Sequence, residues 1–347
     1  MAYTTINKPG LHFKSVAFTG NGSAGHAITG VGFQPDWVWL KTVDSVNNHT
    51  IFDVVRGVTN RIRSNQNNAQ NTSSGVTSFD TDGFTVGSDS AGNTSSGSMI
   101  SWNWKTQNAQ GSSNTDGSTN TTYTSVNTTA GFSISTYEGT GSNATFGHGL
   151  GVTPAMVLVK NIDASQNWFM YHQGIGATQL LRLNSTSAKI SSSTSWNNTA
   201  PTSSVVSIGT EAGTNQNGST HVAYCFAEKQ GYSKFGTYTG NGNADGTFVY
   251  LGFKPAFFMV KGHDLTSEWH IADNARRPNN PNNSYLSASS SAVENTTEPV
   301  DFVSNGVKFK TTNNGWNKSG TNFIYWAFAE NPLVANVGAN GVPATAE

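Results

Sequence analysis

Residues 32–41 (GFQPDWVWLK), 151–160 (GVTPAMVLVK) and 252–261 (GFKPAFFMVK) decide the fold. Each opens with Gly-x-x-Pro, continues as an apolar run and closes on a lysine. Pro35, Pro154 and Pro255 are separated by 119 and 101 residues. Working outward, Phe18 in FTGNG, Tyr137 in YEGTG and Tyr238 in YTGNG keep the same two spacings. A third set closes each unit: Trp102 in SWNWK, Tyr224 in AYCFAE and Trp326 in YWAFAE, spaced by 122 and 102. Three landmarks that keep their order and spacing define an internal repeat. The expected organisation is an N-terminal docking arm (1–15), repeat one (16–105), a polar, exposed linker with one or two strands (106–134), repeat two (135–228), repeat three (236–330) and a mobile tail (331–347). The short joint between repeats two and three predicts that these two pack tightly.

Runs such as DWVWLK, AMVLVK, AFFMVK, HVAYCFAE and FIYWAFAE are five to eight residues long, rich in β-branched and aromatic residues, and bounded by Gly, Asn, Asp and Ser. That is strand-and-turn punctuation. No window carries a clean 3.6-residue apolar period, and the 37 glycines weaken helix interiors. The reading is all-β: three tandem β-sandwich repeats, jelly-roll or lectin-like, each of about 95 residues. Asp82-Gly83 and Asn305-Gly306 have the dipeptide of tight hairpin turns and are expected at turn centres with positive φ. The prolines are expected where strands begin, where a missing N–H does least harm.

Charged residues make up only 11% of the 347, against roughly 25% in ordinary domains, and the formal net charge is −1. No basic block suggests nucleic acid, and no apolar run of about 18 residues suggests a membrane span. Residues 1–10 lack the apolar stretch of a secretory signal, and Cys225 is the only cysteine, so no intrachain disulfide forms. The polar, aromatic-rich composition suits a surface-exposed β protein, whereas the missing signal and disulfides suit cytoplasmic folding. A phage particle protein, folded in the host and working outside it, reconciles the two.

The opening MAYTTINKP, GFQPDWVWLK, SFDTDGFTVGSDS and the long stretch HVAYCFAEKQGYSKFGTYTGNGNADGTFVYLGFKPAFFMVK resemble virion proteins of tailed marine phages, cyanophage-like and pelagiphage-like. The resemblance runs over nearly the whole chain. It implies a β-sandwich or lectin-like tail or other structural component, and it implies no catalytic residues.

Candidate chemistry is sparse. Glu228 and Glu330 close repeats two and three at matching positions, and a glycosidase pair is one reading of them. Asp53, His172 and Asp273 also match in spacing; an inter-repeat contact is favoured over a ligand site. Asp80, Asp82 and Asp89 touch on calcium-loop spacing, but a hairpin turn accounts for Asp82-Gly83 without metal. The histidines show no zinc spacing, FTGNGSAG does not lead into a helix as a phosphate loop would, and Cys225 reads as a small core residue. The ligand candidates are Trp196 and Trp316, rings in polar loops, with Arg276 and Arg277 for an acidic glycan or a neighbouring subunit. The functional expectation is a non-enzymatic virion surface protein: tail fibre, knob or capsid decoration. It needs no cofactor and no metal. Its expected partners are other virion proteins, a host surface glycan and further copies of itself. The alternatives are a carbohydrate-binding module or a polysaccharide depolymerase.

Overall fold

In the computed structural model, which describes residues 4–298 and 300–331, the three landmark stretches become the strands Trp37–Thr42, Met156–Asn161 and Phe257–Gly262. All of their residues are buried. Both faces of each strand are apolar because each lies inside a sheet that is covered on both sides. Three large antiparallel sheets share one strand order. In each, the opening strand (Phe13–Thr19, Phe132–Glu138, Ser233–Thr239) pairs with the closing strand (Ser98–Trp104, Thr220–Phe226, Asn322–Phe328). The closing strand then pairs with the landmark strand. Register is equivalent in the three: Trp37 opposes Trp104, Met156 opposes Phe226, and Phe257 opposes Phe328.

Strand alternation divides the landmark residues between two cores. Val38 and Leu40, Val157 and Val159, and Phe258 and Val260 face outward onto a small sheet that completes each sandwich. The small sheets are built on His26–Ile28 with Gly83–Val86, Ala144–Gly147 with Val205–Ile208, and Phe248–Tyr250 with Gly306–Phe309. Trp37, Trp39, Met156, Leu158, Phe257 and Met259 face inward, where all three large sheets bury one common core. The result is a closed three-lobed cluster rather than a row: the second and third lobes pack against each other, and each also packs against the first.

The Gly-x-Gly landmark has a structural cause. Each lobe has a one-turn helix ending in a fully buried asparagine: Asn93, Asn215 or Asn317. Asn215 Oδ1 accepts from Thr140 N at 2.7 Å, while its Nδ2 donates to the Ser142 and Gly209 carbonyls at 2.6 and 2.7 Å. Asn93 and Asn317 bind the Asn21 and Asn241 amides in the same way. The loop passes so close that a Cβ at Gly139 would lie 2.2 Å from the Gln216 carbonyl oxygen, and Gly141 has φ 69°. FTGNGSAG is therefore a stapled loop, not a phosphate cradle.

Four expectations are corrected. The hairpins pair Asp80 with Gly83 and Val303 with Gly306, so the loop residues are Thr81-Asp82 and Ser304-Asn305, and the glycines begin strands. Gly83 keeps the expected positive φ, at 144°, and both glycines allow close approach: a Cβ at Gly83 would lie 1.9 Å from the Ile28 carbonyl oxygen, and one at Gly306 2.1 Å from that of Val249. Residues 4–15 do not stand out as an arm, because Ile6 and Phe13 are buried in the common core. The linker does contain a strand, Thr121–Asn127, but it is not exposed throughout: Thr121, Thr124 and Ser125 are buried where this strand pairs with Phe132–Glu138 at the edge of the second large sheet. Finally, the second lobe's sheet begins at Phe132, ahead of residue 135. Most of the tail, from 332 onward, lies outside the described residues.

Candidate functional site

The equivalent positions Asp53, His172 and Asp273 end the strands Thr50–Asp53, Phe169–His172 and His270–Asp273. Each points at the closing strand of the next lobe. Tyr224 donates its hydroxyl to Asp53 Oδ2 at 2.6 Å, Trp102 Nε1 donates to Asp273 Oδ2 at 3.1 Å, and His172 Nε2 lies 3.2 Å from the Tyr325 carbonyl oxygen. First to second, second to third and third to first, the contacts close a ring. Burial keeps the Tyr224 hydroxyl protonated and so a donor.

The two aspartates carry a local motif, Asp-x-x-Arg. Arg56 gives Asp53 its backbone N–H at 2.8 Å and its Nε at 2.5 Å, with both side chains at most 1% exposed. Arg276 treats Asp273 in the same way, at 2.9 and 2.7 Å. The second lobe has Ile175 where the others have arginine, and His172 accepts from Gly174 N at 3.0 Å instead.

Ring nitrogens make a second set of ties. Trp168 Nε1 donates to the Arg63 carbonyl at 2.8 Å, and Trp269 Nε1 to the Arg182 carbonyl at 3.0 Å. At the matching place in the first lobe, His49 Nδ1 accepts from Trp39 Nε1 at 2.8 Å. Because an indole N–H can only donate, His49 Nε2 carries the proton, which it gives to the Ser287 carbonyl at 3.0 Å. Lys160 and Lys261 add bonds across junctions, to the Asn67 and Thr186 carbonyls.

These neutral histidines predict acid sensitivity. Burial pushes His172 from 6.5 down to about 4, and pushes His49 down as well. Between pH 6.5 and about 4 the unfolded chain binds a proton at residue 172 that the folded chain does not. Stability is therefore full above 6.5 and falls as pH drops through that window. Urea unfolding at a series of pH values should show His172→Gln losing part of this slope; parallel curves for parent and variant would contradict it.

The ligand candidates lie elsewhere than expected. Trp196 and Trp316 are not exposed: they are 1% and 0% accessible. The polar loops fold back over them, with Trp196 edge-on to Tyr171 and Trp316 stacked on His270. Arg276 is spent on Asp273 and Glu294, while the half-exposed Arg277 donates to Ser284 Oγ at 2.7 Å. Glu228 accepts from Phe235 N and Gln173 Nε2, and Glu330 from Lys14 Nζ and Asn274 Nδ2, so each is engaged at a different junction. Asp82 accepts from the Gly30 and Gly32 amides, Asp80 from Thr85 Oγ1, and Asp89 from Ala91 N and Arg61. Among the described residues no group of three or more His, Cys, Asp or Glu is placed to hold a metal ion. Cys225 is buried, and burial pushes its thiol up.

Sequence reasoning missed Phe248 and Tyr250, which are 44% and 55% exposed on an edge strand of the third lobe. Tyr250 borders an open cleft of about 410 Å³ with Glu228, Gln230 and Lys234. The alternation of FVY puts both rings on one face, but it does not reveal that this face is outward.

Fold and junctions together define an all-β protein of three sandwich lobes closed around one core. The chain belongs to the family described as a domain of unknown function, DUF7483, whose family model matches residues 8–332. No curated protein and no solved structure matches it.

Proposed function

We propose that this chain is a non-enzymatic structural protein on the surface of a phage particle, in a tail fibre, knob or capsid decoration, where it contributes to host attachment. Its mechanism is rigid display: loops and edges held in fixed relation, with no turnover. The observation that carries this reading is the closed ring of buried junctions, which joins the three lobes into one body. The resemblance to virion proteins and the low surface charge support the setting. The sugar-binding and depolymerase alternatives rested on Trp196, Trp316, Glu228 and Glu330, whose side chains are buried or engaged internally. Copies of the chain and other virion proteins are the partners this role calls for.

The test is antibody labelling of intact particles by electron microscopy. Label on the tail or around the capsid is the expected result, and its position gives the assignment. Particles that stay unlabelled, with the chain found only in the soluble lysate, would overturn the proposal.

A further inference from the structure

The opening strands of the three lobes have equivalent outer edges, and the chain itself fills two of them. Lys105 N donates to the His12 carbonyl at 3.0 Å and Gly20 N to the Gly97 carbonyl at 2.9 Å, which fixes the inner side of Phe13–Thr19. Alternation then turns the N–H and C=O of Ser15, Ala17 and Thr19 away from the closing strand. At the repeat spacing these residues match Ile134, Thr136 and Glu138 in the second lobe and Phe235, Thr237 and Thr239 in the third. In the second lobe Thr121–Asn127 fills the edge, with Ser125 opposite Ile134 and Tyr123 opposite Thr136. In the third, Phe235 N donates to Glu228 Oε1 at 2.9 Å, Gln173 Nε2 donates to the Phe235 carbonyl at 2.6 Å, and Thr247 Oγ1 donates to the Thr239 carbonyl at 2.9 Å. The neighbouring backbone closes in as well: a Cβ on Gly174 would lie 2.4 Å from Thr237 Cγ2.

The edge of the first lobe has neither cover. Asn274 stands where Gln173 stands, one methylene shorter, and its Nδ2 donates to Glu330 Oε1 at 2.9 Å instead of to the strand. Ala27 stands where Thr247 stands and has no hydroxyl to offer Thr19. Among the described residues nothing bonds the outward main-chain groups of Ser15, Ala17 or Thr19. At the same junction Ser15 Oγ, Asn274 Oδ1 and Glu330 Oε2 are buried without a partner. Farther along the strand the two lobes part into a cleft of about 360 Å³, with Ala17, Thr19 and Ser98 on one wall and Ala275, Arg277 and Glu294 on the other. Arg277 takes the place of a glycine, since Gly57 and Gly176 hold its position at the other two junctions. Its side chain is 46% exposed, with Nε on Ser284 Oγ at 2.7 Å and Nη2 at the long distance of 3.6 Å from Glu294 Oε2.

We infer that this groove is a docking site for an extended strand of another polypeptide that carries a carboxylate. The strand pairs antiparallel with Ala17 and Thr19, as Thr121–Asn127 pairs with Phe132–Glu138. Its side chain opposite Ala17 lies on the face that Tyr123 occupies in the second lobe, the face turned toward the neighbouring lobe. There the carboxylate meets Arg277, whose guanidinium offers paired donors to its two oxygens. Glu294 does not satisfy that guanidinium, because its Oε1 is taken by Arg276 Nη1 at 2.6 Å. The added arginine is what separates this groove from its two relatives, where a glycine leaves the wall bare. An open edge invites pairing unless it is blunted, and here Lys14, tied to Glu330, blunts one end. The inference does not rest on a particle, and its test reads binding, not location.

The probe is a fluorescent synthetic peptide of residues 119–127 carrying Tyr123→Glu and amidated at its C-terminus, titrated into the full chain. Saturable binding is expected, with slowed amide exchange at Ala17 and Thr19. Ala17→Pro removes an outward N–H and leaves the ladder to the closing strand in place, while Arg277→Gly copies the other two junctions. Each should weaken binding by about tenfold or more and leave circular dichroism and cooperative unfolding intact. A peptide with Tyr123→Gln should bind the parent about tenfold more weakly than the Tyr123→Glu peptide, and the two peptides should bind Arg277→Gly alike. Three results would overturn the inference: no saturation at millimolar peptide, equal binding by the parent and both folded variants, or uptake of oligogalacturonate through Arg277 with no peptide bound.

Discussion

Replacing Arg56 by Ile is expected to cost the fold about 3–5 kcal/mol, and adding Asp53→His to the same molecule should return about 2 kcal/mol of it. Asp53 is fully buried and accepts from the Arg56 backbone, the Arg56 guanidinium and the Tyr224 hydroxyl. Without the guanidinium a carboxylate remains in the interior with no countercharge, which is the costly half of breaking a buried pair. The second lobe already uses the uncharged solution, His172 with Ile175. The double variant copies it and removes the stranded charge. It does not restore the bonds that Arg56 makes to the Asn60 carbonyl and to Gln70, so recovery is partial. Urea unfolding of the parent, both single variants and the double variant closes a thermodynamic cycle. A double variant no more stable than Arg56→Ile would refute the equivalence of the three junctions.

The same junction shows what could be read in the sequence. The strands were legible because period-2 alternation and turn residues are local, and the spacing of Pro35, Pro154 and Pro255 carried the threefold plan. Asp53, His172 and Asp273 were found by that spacing, yet the Asp-x-x-Arg partner in two of the three lobes was an available signal that went unused. It would have moved Arg276 from the surface to the interior. Trp196 and Trp316 could not be placed from their neighbours. Ser, Thr and Asn loops look solvated, but here they satisfy one another and close over a ring: Trp316 lies in the turn capped by Asn313 and held by Asn317. The ties at His49, Trp168 and Trp269 keep the 119 and 101 spacing. They are hidden because one ring is an imidazole, and only the shared act of donating to a neighbouring lobe makes them equivalent. Likewise, Ile6 and Phe13 stand among scattered apolar residues of the opening stretch that follow no period. Their place in the core depends on a cluster that three distant segments must build together.

That cluster sets the largest effect expected of any alteration. A single lobe, such as residues 112–231 expressed alone, is expected not to fold. Its sandwich core would be intact, with Phe146, Val157, Val159, Ile208 and Ala223 still facing one another. Its other sheet face, however, would expose Phe132, Ile134, Leu158, Trp168, Tyr224 and Phe226, all now buried against the neighbouring lobes. Burying a large apolar side chain is worth roughly 1.5–3 kcal/mol. Half a dozen of them therefore outweigh much of the about 5–15 kcal/mol that holds an ordinary domain together. The ties at Trp168, Tyr224 and His172 would be lost as well. The full chain, in contrast, should unfold in one cooperative step, because no lobe can leave without uncovering the other two. Calorimetry of the whole protein and an amide NMR spectrum of the isolated lobe check the two halves of the argument. A dispersed spectrum from the lone lobe, or three separate transitions in the full chain, would mean that the lobes are independent beads, and rigid display would lose its physical basis.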